Sequence, residues 1–211
     1  MIRAAVFDFD GVIAESADIK TEAFRRLFDG DERAVQYHLA NMGVSRYDKF
    51  RYITTEILGQ PYTPEDERRL GERFSELVVD EVVRCPSVPG ARELLQRLAR
   101  ELPLFVASAV PEEEVRRIVS LRGIEPLFQA VYGTPPTKGQ ILRRILEERD
   151  LDRDEVVMVG DATSDLKGAR EAGVRFVGRV RTGTPDPFAS EGVPVVIDMS
   201  ELDRRWGELF G

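Results

Sequence analysis

The chain is short of several residues on which whole classes of chemistry depend. Among 211 residues there is one cysteine, Cys85. It has no internal partner, so a disulfide scaffold is excluded and a reducing, cytoplasmic setting is expected. There is one histidine, His38, which rules out a multi-histidine metal site, so any metal must be held by carboxylate oxygen. Lysine is scarce as well. Only Lys20, Lys49, Lys138 and Lys167 interrupt an otherwise all-arginine set of 30 basic residues. Where arginine is the default cation, each lysine raises the question of its purpose. Positive charge is not in excess: the formal net charge is −8, which gives a phosphate backbone nothing to bind and argues against a nucleic-acid partner. No apolar run approaches the roughly 18 residues needed to span a bilayer, so no membrane partner is expected. A strand-like run starting at Ile2 leaves no room for a secretory leader. What is present, 42% hydrophobic and 32% charged residues, suits a packed core under a polar surface and excludes intrinsic disorder.

Strand-like runs occur at Ile2–Phe9 and then at Leu102–Ala107, Gln129–Tyr132, Glu155–Val159, Val174–Val177 and Val193–Ile197. Between the later ones, Ala91–Arg100, Glu112–Leu121, Gly139–Arg149 and Ala162–Ala172 carry apolar residues at three- and four-residue spacing, the period of an amphipathic helix. Strand–helix alternation predicts an α/β fold, a Rossmann-like parallel sheet with helices on both faces. Ligands bind such sheets at the carboxyl ends of the strands. Ala17–Arg84 differs, with helical periodicity and almost no strand signal. About four helices are expected there, broken near Gly43, Gly59-Gln60-Pro61 and Cys85-Pro86. The organisation expected is a core of residues 1–15 and 86–211 with an all-helical insertion, a cap, at 16–85.

Chemistry concentrates at the strand ends. Asp8-Phe9-Asp10-Gly11 follows the first strand and Gly160-Asp161-Ala162-Thr163-Ser164-Asp165 follows a later one. Two carboxylates two residues apart repel unless a cation or a shared proton intervenes. Glycine after them allows a tight turn and close approach to a ligand. Asp161 and Asp165, four apart at a helix start, can share a face, although an acid at a helix N-terminus also serves as a simple cap. Ser108 closes the run LPLFVA, where its hydroxyl and the next backbone N–H, that of Ala109, could hold a phosphate oxygen or merely end a strand. Lys138 opens a helix, where the macrodipole disfavours a cation. It makes sense there if it faces an anion or a carboxylate cluster, and otherwise reads as a surface lysine.

Taken in order, DxDG, Ser, Lys and GDxxxD, each just after a strand, resemble the haloacid dehalogenase-like hydrolase superfamily, in its phosphatase/β-phosphoglucomutase-like branch with a helical cap. The resemblance spans essentially the whole chain. It implies Asp8 as the nucleophile that forms an aspartyl-phosphate. Asp10 would be the acid that protonates the leaving oxygen and then the base that activates water. Gly11, Ser108, Ala109 and Lys138 would be the phosphate binders. Mg²⁺ would be held by Asp8, Asp161 and the Asp10 backbone carbonyl, with Asp165 anchoring Lys138 or metal-bound water. Hard oxygen ligands suit Mg²⁺. An acid at Asp10 also suits an alkoxide leaving from phosphorus better than a halide leaving from carbon.

Gly43-Val44-Ser45-Arg46 resembles a stretch of β-phosphoglucomutase-like caps whose arginine holds a second phosphate, so Arg46 is the leading substrate contact, with Lys20 and Lys49 as further candidates. A cationic cap suits a small anionic metabolite. Two departures argue against a mutase: Lys20 stands where those caps often carry histidine, and Gly160-Asp161 replaces their Glu-Asp pair. The expected function is therefore Mg²⁺-dependent hydrolysis of a small phosphorylated metabolite. A phosphomutase is the alternative, and a non-catalytic phospho-accepting signalling module is less favoured because a long insertion follows the first strand. His38 is expected on a cap helix without catalytic duty, and Cys85, Trp206 and the Phe residues read as packing.

Overall fold

The computed structural model describes Met1–Gly211. Six parallel strands form one sheet in the order β3-β2-β1-β4-β5-β6. They are β1 (Ala4–Phe7), β2 (Leu104–Pro111), β3 (Ala130–Thr134), β4 (Val156–Gly160), β5 (Arg175–Arg179) and β6 (Val195–Val196). Side chains alternate across the strands and sort into two cores. Ala5, Phe7, Leu104, Val106, Val157 and Val159 pack on one face. Ala4, Val6, Phe105, Ala107, Val156 and Met158 pack on the other. Burial on both faces explains why these strands read as unbroken apolar runs rather than as alternation with polar residues. Each fully buried aliphatic or aromatic side chain contributes roughly 1.5–3 kcal/mol.

Helices α5 (Ala91–Leu98), α6 (Glu112–Leu121), α7 (Lys138–Arg149), α8 (Thr163–Ala172) and α9 (Met199–Phe210) cover the sheet, giving the α/β Rossmann-like core expected from the alternation. Between β1 and β2 lies the inserted helical region: α1 (Ala17–Leu27), α2 (Glu32–Ala40), α3 (Arg46–Tyr52), continued by a π-turn over Ile53–Ile57, and α4 (Pro64–Arg84). Good caps start these helices. Asp31 accepts from the Arg33 and Ala34 amides, Ser45 accepts from Tyr47, and Thr63 and Asp66 form a reciprocal box ahead of Pro64. The cap interior is aromatic. Phe24 lies 5.2 Å from Phe74 and 5.6 Å from Phe50, ring centre to ring centre. It also stacks on His38 at 4.1 Å.

The two linkers run side by side. Ala14 bridges antiparallel to Ser87, the Glu15 amide donates to the Pro86 carbonyl, and the Val88 amide donates to the Ile13 carbonyl. Each linker is tied to the core by an arginine. Arg122 donates to the carbonyls of Val82, Val83 and Cys85, satisfying orphan acceptors at the end of α4. Arg179 donates to the Gly11 carbonyl and pairs with Glu15.

Some elements differ from expectation. β2 does not end at Ser108 but runs on to Pro111, with its register against β3 broken between Ala107 and Pro111. β6 shrinks to two residues because Pro194, just before it, has no amide to donate. Helix α9, which buries Met199, Leu202 and Phe210, was not anticipated.

Candidate active site

Sheet order sets the location. Strand order turns at β1, with β2 on one side and β4 on the other, and a parallel sheet opens a crevice beyond its carboxyl ends at such a point. β1 delivers Asp8 there and β4 delivers Asp161. The ladder continues to the edge of the crevice, where the Asp8 amide donates to the Val159 carbonyl at 2.9 Å. Gly11 follows at φ +69°, and a Cβ on it would come within 1.9 Å of the Asp161 carboxylate. The turn therefore needs glycine both for its backbone angle and for the space it leaves.

Asp8, Asp161 and Asp165 each offer a carboxylate oxygen, and these atoms lie within 4.8 Å of one another. An all-oxygen donor set of this kind fits a hard divalent cation. Asp165 enters the crevice from the first turn of α8 and is fully buried. One of its oxygens accepts from the Ala162 amide at 3.0 Å and the other from Lys138 Nζ. Lys138, the first residue of α7, is set by a Thr137–Gln140 capping box. Its ammonium also reaches Asp8 Oδ2 at 2.8 Å. A cation at a helix start is thus explained by the two carboxylates it faces, which together raise its proton affinity against the effect of burial.

The electrostatics show how crowded the carboxylates are. Burial pushes Asp8 up, Lys138 opposes it, and Asp165 and Asp10 add to the burial effect, leaving the carboxyl pushed up to about 7. Asp161 is raised well above the ordinary carboxylate value, by burial first and then by Asp8 and Asp165. Carboxyl groups this unwilling to ionise together are the signature of a site shaped for positive charge.

Asp10 stands apart from that cluster. Its side chain turns toward the cap, where Lys20 Nζ on α1 donates to one oxygen and Ser16 Oγ donates to the other at 2.6 Å. Burial alone would raise Asp10, but Lys20 and Ser16 override burial and hold it below its ordinary value. Ser108 is buried in β2, and its Oγ accepts from the Val110 amide. Ser108, Ala109 and Lys138 share one groove, and Ala109 also borders the cavity that holds Asp8 and Asp10.

That cavity, of about 60 Å³, is closed over by the cap and lined by Asp8, Asp10, Lys20, His38, Arg46 and Lys49 among others. Closure is tight. A Cβ on Gly43 of the cap would lie 2.1 Å from Ser164 Oγ at the start of α8. All three cap cations singled out in the sequence border the cavity, but their charges are differently engaged. Lys20 is paired with Asp10. Arg46 lies over the Phe74 ring, with its guanidinium bound to Ser75 at 3.0 Å and paired with Glu114 of α6. Lys49 is buried, and its only hydrogen-bond partner is His38 Nδ1 at 3.2 Å. Arg51, on the same helix, points outward to Glu67.

Several residues that shape this site were not singled out in the sequence. Glu114, Ser16, Thr21 and Arg179 act through partners distant in sequence or through common hydrogen bonds, and neither leaves a local pattern. His38 lies on a cap helix, as expected, and also lines the cavity.

A family profile described as haloacid dehalogenase-like hydrolase matches residues 5–179. A phosphoglycolate phosphatase of Rhodospirillum rubrum is 28% identical over 213 residues, covering 94% of this chain and 88% of its own. A 5′-nucleotidase of Pseudomonas aeruginosa is 28% identical over 191 residues, covering 82% of this chain and 80% of its own. The crystal structure of a β-phosphoglucomutase from Clostridium difficile superposes with a TM-score of 0.79 at 20% identity, covering 99% of this chain and 96% of that one. At that identity, the likeness speaks for the fold.

Proposed function

The chain belongs to the haloacid dehalogenase-like hydrolases, and on that premise we propose that it is a Mg²⁺-dependent phosphatase that cleaves the phosphomonoester of a small anionic metabolite through an aspartyl-phosphate on Asp8. The observation that carries this reading is Lys138 bridging Asp8 and Asp165, with Asp161 beside them, at the ends of neighbouring strands. The phosphatase and nucleotidase activities named for the two relatives are of the same class. The division into a core of residues 1–15 and 86–211 and a cap of residues 16–85 is part of the proposal, supported by the bridged linkers.

In this reading Asp8 attacks phosphorus, and the bond from phosphorus to the leaving oxygen breaks. Asp10 gives that oxygen a proton. Water then attacks the acyl phosphate, Asp10 takes back a proton, and inorganic phosphate leaves with Asp8 restored. Dividing the transfer between two displacements lowers each barrier. Lys138, the Ser108 hydroxyl and the Ala109 and Gly11 amides hold the phosphoryl oxygens as charge shifts among them. Asp8, Asp161 and the Asp10 carbonyl would hold Mg²⁺, which when bound supplies positive charge to the carboxylates and the phosphoryl group together. Asp165 keeps Lys138 in place. The closed cap keeps bulk water away, with Lys20 and Lys49 as the cap residues proposed to face the substrate and Arg46 held by Glu114 and Ser75 at its edge.

Phosphate release from a panel of phosphorylated metabolites tests the reading. Asp8→Asn is expected to abolish release while leaving the protein folded, and excess EDTA is expected to stop the wild type. More than a few per cent of residual turnover in the variant, or full activity in chelator, would overturn it. Accumulation of an isomeric sugar phosphate instead of free phosphate would favour a mutase.

A further inference from the structure

Of the three cap cations that border the cavity, one has no carboxylate partner. Lys20 is neutralised by Asp10 and Arg46 by Glu114. Lys49 pairs with no carboxylate, yet it is 4% exposed and borders the cavity. Its surroundings fix its aim. The ammonium donates to His38 Nδ1, which requires the tautomer protonated at Nε2. That N–H donates to Thr21 Oγ1 at 3.3 Å, whose own proton goes to the Ala17 carbonyl at 3.0 Å. Every proton along this chain has an acceptor. The ring of Phe24 stacks on His38 and lies 5.4 Å from the ammonium, which closes the apolar side. The remaining N–H donors of Lys49 have the cavity as their only polar outlet.

An unpaired buried cation is costly, and its cost is relieved by an anion that comes to it. We propose that Lys49 is the specificity-determining residue of this site, receiving a carboxylate carried on the leaving side of a two- or three-carbon phosphate monoester, with His38 and Thr21 positioning it. The inference rests on the phosphatase reading and narrows it to phosphorylated hydroxy acids. A carboxylate brings the single negative charge that one free cation balances. A second phosphate would bring nearly two and leave the excess buried. The cavity is small, about 60 Å³, which favours a short leaving side over a bulky one while the cap is closed. Arg46, the residue suited to a second phosphate, is withheld by Glu114 and Ser75. Burial first and then Lys20 bring the Lys49 amine down to about 7, with Asp10 opposing. Its charge is thus poorly held until an anion arrives.

The test compares two esters with the same carbon skeleton, 2-phosphoglycolate and 2-hydroxyethyl phosphate. For the wild type kcat/KM is expected to favour the carboxylate ester by tenfold or more, the scale of one charged hydrogen bond. Lys49→Met should lower that ratio at least tenfold, mainly through KM. Lys49→Arg should keep it above one. His38→Phe, which preserves the stack on Phe24 but not the acceptor, should lower the ratio without reversing it. Equal kcat/KM for the two esters in the wild type, or an equal fall for both in Lys49→Met, overturns the proposal. If neither ester is hydrolysed, the phosphatase reading is decided separately, by the metabolite panel and Asp8→Asn. Calorimetric binding of the two esters then decides: tighter binding of the carboxylate ester, lost in Lys49→Met, supports the role of Lys49, and equal binding overturns it.

Discussion

The ammonium of Lys20, on the first helix of the cap, is hydrogen-bonded to the carboxylate of Asp10, at the tip of the central strand. A cap residue thereby sets the protonation of a core residue. While the two are in contact Asp10 is held ionised, the form that accepts a proton from water. In the proposed mechanism it must lose some of that support before it can donate a proton to a leaving oxygen, so the acid and base roles proposed for Asp10 are tied to the seating of α1.

Lys20→Met should therefore move the ionisation of Asp10 to higher pH. Removing the charge and its hydrogen bond leaves burial, which raises the carboxyl, opposed only by Ser16 and the more distant Lys138. Whichever limb of the pH–rate profile Asp10 sets, that limb shifts upward in Lys20→Met and shifts less in Lys20→Arg. A profile unmoved by Lys20→Met would remove Lys20 from this role.

Gly11→Ala should weaken the metal site more than the fold. The new methyl would collide with the Asp161 carboxylate and force an L residue to φ +69°. The Mg²⁺ concentration giving half-maximal activity is expected to rise roughly 10- to 100-fold, the usual effect of disturbing the support of a metal ligand. It is read from a Mg²⁺ titration of activity beside a urea melt. An unchanged Mg²⁺ requirement would place the ion away from Asp161.

Arg46 and Glu114 join the cap to α6 through a pair that is 5% and 12% exposed at its side chains. Removing one partner of a buried pair leaves the other uncompensated, at a cost of about 3–5 kcal/mol. Glu114→Gln should lose stability on that scale in urea unfolding. The apolar double variant Arg46→Met/Glu114→Leu should recover much of it. Strictly additive losses would show that the two charges do not depend on one another.

His38 gives the cap a dependence on acid. Burial, then Lys49 and Lys20, push its imidazole down to about 3, against about 6.5 in an unfolded chain. Between those values the unfolded state binds the extra proton and the folded state does not, so stability falls as pH drops below about 6.5. Comparing urea midpoints of the wild type and His38→Asn at neutral and acidic pH isolates this contribution, and the variant should show the shallower dependence. Parallel curves would mean that the ring accepts a proton without cost.

The fold was legible because its signals are local. Asp8, Asp10, Lys138, Asp161 and Asp165 each follow a strand or lie in the first turn of a helix whose hydrophobic period marks it in the sequence, and Ser108 lies in a strand marked the same way; a parallel sheet gathers such positions at one edge. Glu114 left no such mark. It lies among three consecutive glutamates on an amphipathic helix, and only the seating of the cap on α6 brings it to Arg46. The pairing of His38 with Lys49 was hidden for a similar reason, since they sit on different helices joined by a loop. Helix α9 was missed because its packing partner, α5, is about a hundred residues earlier in the chain. Sequence spacing thus marked the core positions that the sheet gathers at one edge, while the allocation of charge in the cap depends on tertiary contacts.

The bridge between Ala14 and Ser87 has a consequence for how such a protein can change. The excursion that carries all the cap cations begins and ends at the same spot on the rim of the sheet. It could be exchanged for a lid of different length without reordering any strand, because the entropy of closing a loop grows only slowly with the number of residues inside it. The helical region that covers the cavity is attached to the scaffold like an interchangeable part, while Asp8 and Asp161 stay with the strands that hold them.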